Sequence, residues 1–183
     1  IAELSAFRTG DITDAEIVEA IIHELAPDVI VNLAAISSVG LSWRCPQATM
    51  AVNVVGPVNI LQAAASLDRM PKVLLIGSSE EYAPSALPVD ESAPINASSP
   101  YGVSKIAQEN MANLYADRFG IPIYKVRAFN HTGVGQADSF VLPSWCKQIA
   151  AMSSSGTPGI IRVGNTDVVR DFSDVRDIVR AYR

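Results

Sequence analysis

Two apolar rhythms alternate along the chain. From Thr13 onward, Ile17, Ala20, Ile21 and Leu25 recur at helical spacing, and Thr13 with Glu16 has the spacing of a capping box, so the pattern predicts an amphipathic helix ended by Pro27. The run from Val29 to Ala35 is short, β-branched and nearly continuous in apolarity, as expected of a strand covered on both faces. A helix follows from about Pro46 to Leu67, then a strand from Lys72 to Ser78. Beyond a loop rich in proline, serine and alanine (Ala83 to Ser99), Ser99 and Pro100 predict an N-cap and first helical turn, with the helix stopped at Phe119 by Gly120. A third strand is expected from Ile123 to Phe129, and a last helix from Asp174 to Arg183.

Strands alternating with helices of this length imply βαβ crossovers, hence an α/β doubly wound, mainly parallel sheet. At 183 residues one domain is expected, with about 134–183 contributing to a substrate-binding part. Ligands on such sheets bind beyond the carboxyl ends of the strands. Those ends carry Ala34-Ala35-Ile36-Ser37-Ser38, Gly77-Ser78-Ser79-Glu80 and Phe129-Asn130-His131-Thr132-Gly133, which puts the polar and glycine-bearing breaks on one rim.

Composition narrows the function. Apolar residues make up 49% and charged residues 18%, values of a packed interior rather than of disorder. The net charge of -5 argues against general nucleic-acid binding, so an anionic ligand needs placed cations and backbone amides. Cys45 and Cys146 lack ligand spacing; no metal site is expected, and both read as reduced core thiols. No stretch is expected to reach the length of a membrane span and none resembles a signal peptide, so a cytoplasmic location without a membrane partner is expected.

The candidate chemistry lies at one strand–helix junction. Tyr101 and Lys105 are four apart at a helix start, which stacks them on one face. An ammonium near a phenol lowers its pKa and makes it a usable proton donor near neutrality. Ser78, at the end of the preceding strand, can hydrogen-bond the same substrate oxygen. The plainer reading of a lone Tyr-x-x-x-Lys is a solvated surface pair.

The surrounding words decide between these. GDITD (Gly10 to Asp14), NLAAISSV (Asn32 to Val39), NVVGPVNIL (Asn53 to Leu61), GSSEEY (Gly77 to Tyr82), SPYGVSK (Ser99 to Lys105), RAFNHTGVGQ (Arg127 to Gln136) and VGNTDVVRDFSDVRDIVRAY (Val163 to Tyr182) stand in order along nearly the whole chain. In these the chain resembles the extended short-chain dehydrogenase/reductase, or NAD-dependent epimerase/dehydratase, family. FNHTG and RDFSDVRD are similar to its GDP-sugar branch, the GDP-6-deoxy-4-keto-mannose reductases and GDP-mannose 4,6-dehydratases.

The resemblance implies a Rossmann-like fold, an NADP or NAD cofactor and a GDP-sugar substrate. It implies that Ser78, Tyr101 and Lys105 are catalytic, with Lys105 and Tyr101 also at the cofactor. Asp11 and Ile12 would frame the adenine, and Leu33, Ala34 and Ala35 would form the loop under the cofactor. Ser38, Asn130 and Arg170 would meet the substrate, the last two at its diphosphate. Glu80 matches the base of the dehydratases, yet the reductases carry the same word, so it either removes a ring proton or orients the sugar. Without the resemblance, Asp11 could close a strand, Ala34 and Ala35 could be packing, and Arg170 could pair with Asp171 or Asp174. Asn53 reads as a structural hydrogen-bonder, and His131 as loop-shaping or substrate-lining.

Ala83, Ala128 and Val134 depart from the family's usual glycine, proline and proline. The glycine-rich cofactor fingerprint that should precede GDITD is not in the sequence, so a parent chain longer at both ends is expected, the fold here being truncated in its first βαβ unit and its C-terminal substrate domain. Family members commonly form homodimers through a four-helix bundle, which is expected here. The implied reaction is hydride transfer from NAD(P)H to carbon 4 of a GDP-linked 4-keto-6-deoxyhexose, giving GDP-rhamnose. The alternatives are 4,6-dehydration of GDP-mannose, another nucleotide-sugar epimerase or dehydratase reaction, or a nucleotide-binding module without catalysis.

Overall fold

The computed structural model describes residues 7–156 and 158–183. They fall into two compact units, divided between Ala128 and Phe129.

The first unit holds α1 (Ala15–Leu25), β1 (Val29–Asn32), α2 (Val39–Arg44), α3 (Pro46–Met50), a π-helical turn (Ala51–Val55), α4 (Gly56–Ala65), β2 (Lys72–Ile76), a 3-10 turn (Ser79–Glu81), α5 (Pro100–Phe119) and β3 (Ile123–Val126). The strands form a parallel sheet in the order β1-β2-β3. Parallel pairing across four- and five-residue strands requires helical crossovers, which α4 and α5 supply.

The register fixes the two faces. Ile30, Val73 and Ile123 stand side by side on one, and Val31, Leu74 and Tyr124 on the other. On the first face lie Leu61 and Ala64 of α4, Ala112 of α5, Ile121, Val73 and Leu75, all at most 2% exposed, with Ile30, Tyr115 and Ile123 packed against them. An adjoining cluster joins Val18 and Ile22 of α1 to Ile60 and Ala63 of α4. Each fully buried Leu or Val contributes about 1.5–3 kcal/mol, so this face dominates the unit's stability. On the other face Val29, Val31 and Tyr124 are 53%, 48% and 55% exposed. β1 is thus shorter than expected, and the two apolar clusters of this unit lie on its Ile30 face.

Other boundaries also moved. α1 is capped by Asp14, not Thr13: the Asp14 carboxylate accepts from the amides of Glu16 and Ile17, both at 3.1 Å, while the Thr13 amide and hydroxyl both donate to Asp11 at 2.8 Å. The expected single helix from Pro46 is interrupted by the π-helical turn. By length and composition its run, Pro46–Ala65, could cross a bilayer, contrary to the sequence expectation. It is a packed helix here, with Asn53 and Asn59 bonded to the protein at Ile36 and Ile12. Cys45 and Cys146 are free thiols, but exposed rather than core. α5 starts and stops where the sequence predicts: Ser99 accepts from the Gly102 amide, and Gly120 closes the helix at φ 73°.

The second unit holds β4 (Asn130–Thr132), α6 (Val141–Ser155), β5 (Phe172–Asp174) and α7 (Val175–Ala181). β4 and β5 pair in parallel, with Asn130 opposite Phe172. Asp174 caps α7 through the Arg176 amide.

Candidate active site

Ser78 sits where β2 gives way to the 3-10 turn, and Tyr101 and Lys105 lie on the first turns of α5. All three are buried, at 7%, 8% and 3% exposure. Their convergence has a local cause. A Cβ on Gly102 would fall 2.3 Å from the Glu80 carbonyl oxygen, so only glycine lets the start of α5 close on the turn that carries Ser78. Ser42 of α2 fixes the same helix start by accepting from the Tyr101 amide at 3.1 Å. Asn53, swung out of its helix by the π-helical turn, bonds the amide and carbonyl of Ile36 and the Ser104 hydroxyl, at 2.8, 3.0 and 2.9 Å. It therefore ties the loop after β1 to α5.

The electrostatics differ from the sequence expectation. Lys105 turns its ammonium to the Ile76 carbonyl at 2.7 Å and to Gln108 at 3.2 Å. The Tyr101 phenol is accordingly not lowered by it: burial pushes its pKa up, Glu81 and Glu80 push the same way, and the Ser78 hydroxyl pulls it down. Burial lowers Lys105 to about 8, against the opposing pull of Glu81. The paired Ser78 and Tyr101 hydroxyls can hold one substrate oxygen and deliver a proton to it. The Ser78 hydroxyl also accepts from the Glu80 amide at 3.2 Å, which fixes its rotamer. Glu80 itself is half-buried on the turn.

The remaining candidates are divided between the two units. Leu33, Ala34 and Ala35 form an exposed rim after β1, where Asn32 accepts from the Ala34 amide at 3.1 Å. Asp11 is exposed and its carboxyl is held below the usual range by the two Thr13 bonds. Ile12 is half-buried against Gly56 of α4. Ser38 is exposed, and its hydroxyl is engaged as the N-cap of α2. Asn130 and Arg170 are exposed in the second unit, where the β4–β5 register sets Asn130 two residues along from Arg170. The Arg170 guanidinium donates to the Val169 carbonyl at 3.0 Å, while Asp174 pairs with Arg176 instead. His131 bonds the Phe129 carbonyl at 3.1 Å.

Sequence reasoning missed the residues that brace this centre, Glu81, Gln108 and Arg127. For Glu81 a signal existed: Ser78 and Glu81 have capping-box spacing, and both bonds of the box are present.

A serine at the end of one parallel strand and a Tyr-x-x-x-Lys opening the next helix define the class: an extended short-chain dehydrogenase/reductase. More narrowly, the chain belongs to the GDP-mannose 4,6 dehydratase family, whose family model matches residues 2–183. It is 37% identical to the GDP-6-deoxy-D-mannose reductase of Pseudomonas aeruginosa over 85% of this chain and 52% of that protein. It is 29% identical to the GDP-mannose 4,6-dehydratase of Vibrio cholerae over 93% of this chain and 46% of that protein. The structure of RMD from Pseudomonas aeruginosa complexed with NADPH superimposes with a TM-score of 0.89 and 35% identity, covering 98% of this chain and 61% of the other. The chain thus spans about half the length of the curated relatives it matches.

Proposed function

We propose that this chain is part of an NAD(P)H-dependent oxidoreductase that reduces the 4-keto group of a GDP-linked 6-deoxyhexose to give GDP-rhamnose. The observation that carries the reading is the convergence of buried Ser78, Tyr101 and Lys105 at the carboxyl end of β2, in a chain 37% identical to a GDP-6-deoxy-D-mannose reductase.

The residues present suit a dinucleotide. The exposed backbone at Leu33, Ala34 and Ala35, the Asp11 carboxylate beside Ile12, and Lys105 together offer a rim, an acceptor for the adenine amine and a cation for the ribose. The relative from Pseudomonas aeruginosa was solved with NADPH, and related enzymes with NAD. A bound reduced nicotinamide supplies the two electrons of the reduction. Ser78 holds the sugar carbonyl oxygen, and Tyr101 gives that oxygen its proton as it becomes an alkoxide. Lys105, with a pKa near 8, meets the ribose and helps the phenol regain a proton. Arg170 and Asn130 anchor the diphosphate, for which a planar guanidinium is well suited. Ser38 lines the sugar.

The test is to incubate the whole protein with GDP-4-keto-6-deoxymannose and NADPH or NADH, following cofactor absorbance and identifying the product. Oxidation with formation of GDP-rhamnose supports the reading; an inert cofactor with either coenzyme sinks it. A second reading, 4,6-dehydration of GDP-mannose, is favoured by Glu80, a carboxylate two residues past Ser78. Appearance of a 4-keto sugar from GDP-mannose without added coenzyme would support that instead, with Glu80 as base.

A cytoplasmic homodimer is part of the proposal. Met50, Val55, Val103 and Leu114 are exposed apolar residues on the helices expected to form a four-helix bundle, and Pro46, Met50, Ala51 and Val55 line a shallow apolar groove. A monomeric mass of the whole protein in light scattering would count against the dimer.

A further inference from the structure

Three side chains converge on three consecutive residues, Ile76 at the end of β2 and Gly77 and Ser78 just beyond it. The Ile76 carbonyl accepts from Lys105 at 2.7 Å and from Gln108 at 3.3 Å. The Ser78 amide donates to the Glu81 carboxyl at 2.7 Å. Between them, a Cβ on Gly77 would lie 2.4 Å from the same Glu81 oxygen, so the carboxyl rests directly on the Gly77 backbone. The catalytic serine and the lysine are thus held by opposite ends of one short stretch of chain.

Glu81 is 1% exposed, the one buried carboxylic side chain among the described residues. It is also clamped from behind. Arg127 places its Nε 3.5 Å from Glu81 and forks onto Glu109 with bonds of 3.0 and 2.6 Å; its guanidinium also lies over the Tyr82 ring. A buried carboxyl contributes little to stability that an apolar side chain of similar volume would not. A leucine in its place, however, would leave the Ser78 amide without an acceptor and remove the buried carboxyl that acts on Tyr101 and Lys105.

The groups that interact with Glu81 are Tyr101, Lys105 and Glu109 on α5 and Arg127 after β3, with Lys125 behind Glu109, while the neighbouring Glu80 acts on Tyr101. Burial raises Glu81 to about 7; the Ser78 amide lowers it, Glu109 raises it and Arg127 lowers it. Burial works to raise Glu109 as well, but Arg127 overrides this and holds it below the usual range. The proton is therefore favoured on Glu81 over Glu109, and deprotonation places the new charge on Glu81. Its negative charge then disfavours the Tyr101 phenolate and favours the Lys105 ammonium.

We propose that Glu81 is a positioning residue of this centre, which fixes Ser78 through its amide and sets a charge, metered by Arg127 and Glu109, beside Tyr101 and Lys105. The proposal rests on the catalytic reading of that triad, and its tests are chosen to separate the two. In the whole protein, Glu81→Gln keeps an acceptor for the Ser78 amide but removes the charge, whereas Glu81→Ala removes both. Tyrosinate absorbance, taken as the difference from a Tyr101→Phe reference, reports Tyr101 without any turnover. Tyr101 is expected to titrate at lower pH in Glu81→Gln than in the unchanged protein. For turnover, Glu81→Ala is expected to lower kcat about tenfold with KM within about twofold, and Glu81→Gln to recover most of kcat while flattening its dependence around neutral pH. An unmoved Tyr101 titration, or equal kcat losses in both variants with an unchanged pH profile, overturns the proposal. If the unchanged protein turns over no sugar, the functional reading fails and the tyrosine titration still decides this one. Should the variants not fold, the ring carbon signal of Tyr101 in the unchanged protein is expected to step as Glu81 titrates near pH 7. A flat signal between roughly pH 5 and 8 overturns it.

Discussion

The two units of the chain place their candidate residues in opposite ways. In the first, Ser78, Tyr101 and Lys105 are buried and each is held by named partners. In the second, no described residue is buried, and Asn130 and Arg170 stand exposed. Groups that move protons need a fixed geometry and a low dielectric, which packing provides. The diphosphate contacts proposed for Arg170 and Asn130 ask less of packing, since a guanidinium keeps its charge and its fork on an exposed side chain.

The contrast can be broken most sharply at the phenol. Tyr101→Phe is expected to lower kcat about a thousandfold or more while nucleotide-sugar affinity, read by calorimetry, stays near that of the parent. Retained turnover would remove the proton-transfer role from the first unit. Packing gives the next effect: Leu61→Ala should destabilise the protein by about 2–5 kcal/mol in urea unfolding, whereas Ile149→Ala, at 50% exposure in the second unit, should cost less than about 1 kcal/mol. Comparable losses would mean that the second unit has a core of its own.

The pH dependence of stability distinguishes the units further. Glu81 has a folded pKa raised to about 7 from 4.5, so its contribution is fully present below about pH 4.5 and is lost as pH rises through 7. Urea midpoints at pH 5 and 8 should therefore converge in Glu81→Gln relative to the parent; an unchanged gap would remove Glu81 as its source. At the smaller end, Ser99→Ala should cost about 1 kcal/mol by uncapping α5, and Arg170→Ala should move stability by no more than about 0.5 kcal/mol while weakening GDP binding. Unaltered GDP affinity in Arg170→Ala would take that residue out of the diphosphate site.

Much of the first unit was legible because its signals are local. Ser99-Pro100 and Gly120 bracket α5 through capping chemistry that acts within a few residues. Asp14 outcompeted Thr13 because both are good caps one residue apart, and the Asp11 carboxylate took both Thr13 donors. The end of β1 was not legible, since the apolar run continues to Ala35 while strand pairing stops at Asn32. Nor was the direction of the Lys105 side chain. Four-residue spacing puts an ammonium and a phenol on one face, but the Ile76 carbonyl that captures the ammonium is 29 residues away in sequence.

The π-helical turn at Ala51–Val55 makes helix length, as much as side-chain identity, a variable of the site. A π-helical turn arises when one residue more than an α-helix needs is fitted into a turn, and removing one residue there would restore the regular winding. The segments on either side would keep their phase, because the turn absorbs the extra residue locally, and what would be lost is the bulge that presents Asn53. Asn53 would lose its reach to Ile36 and Ser104 although every other residue remained in place. A single-codon deletion between Met50 and Gly56 thus cuts the tie between the loop after β1 and α5 by straightening one turn of helix, with its flanks left in place.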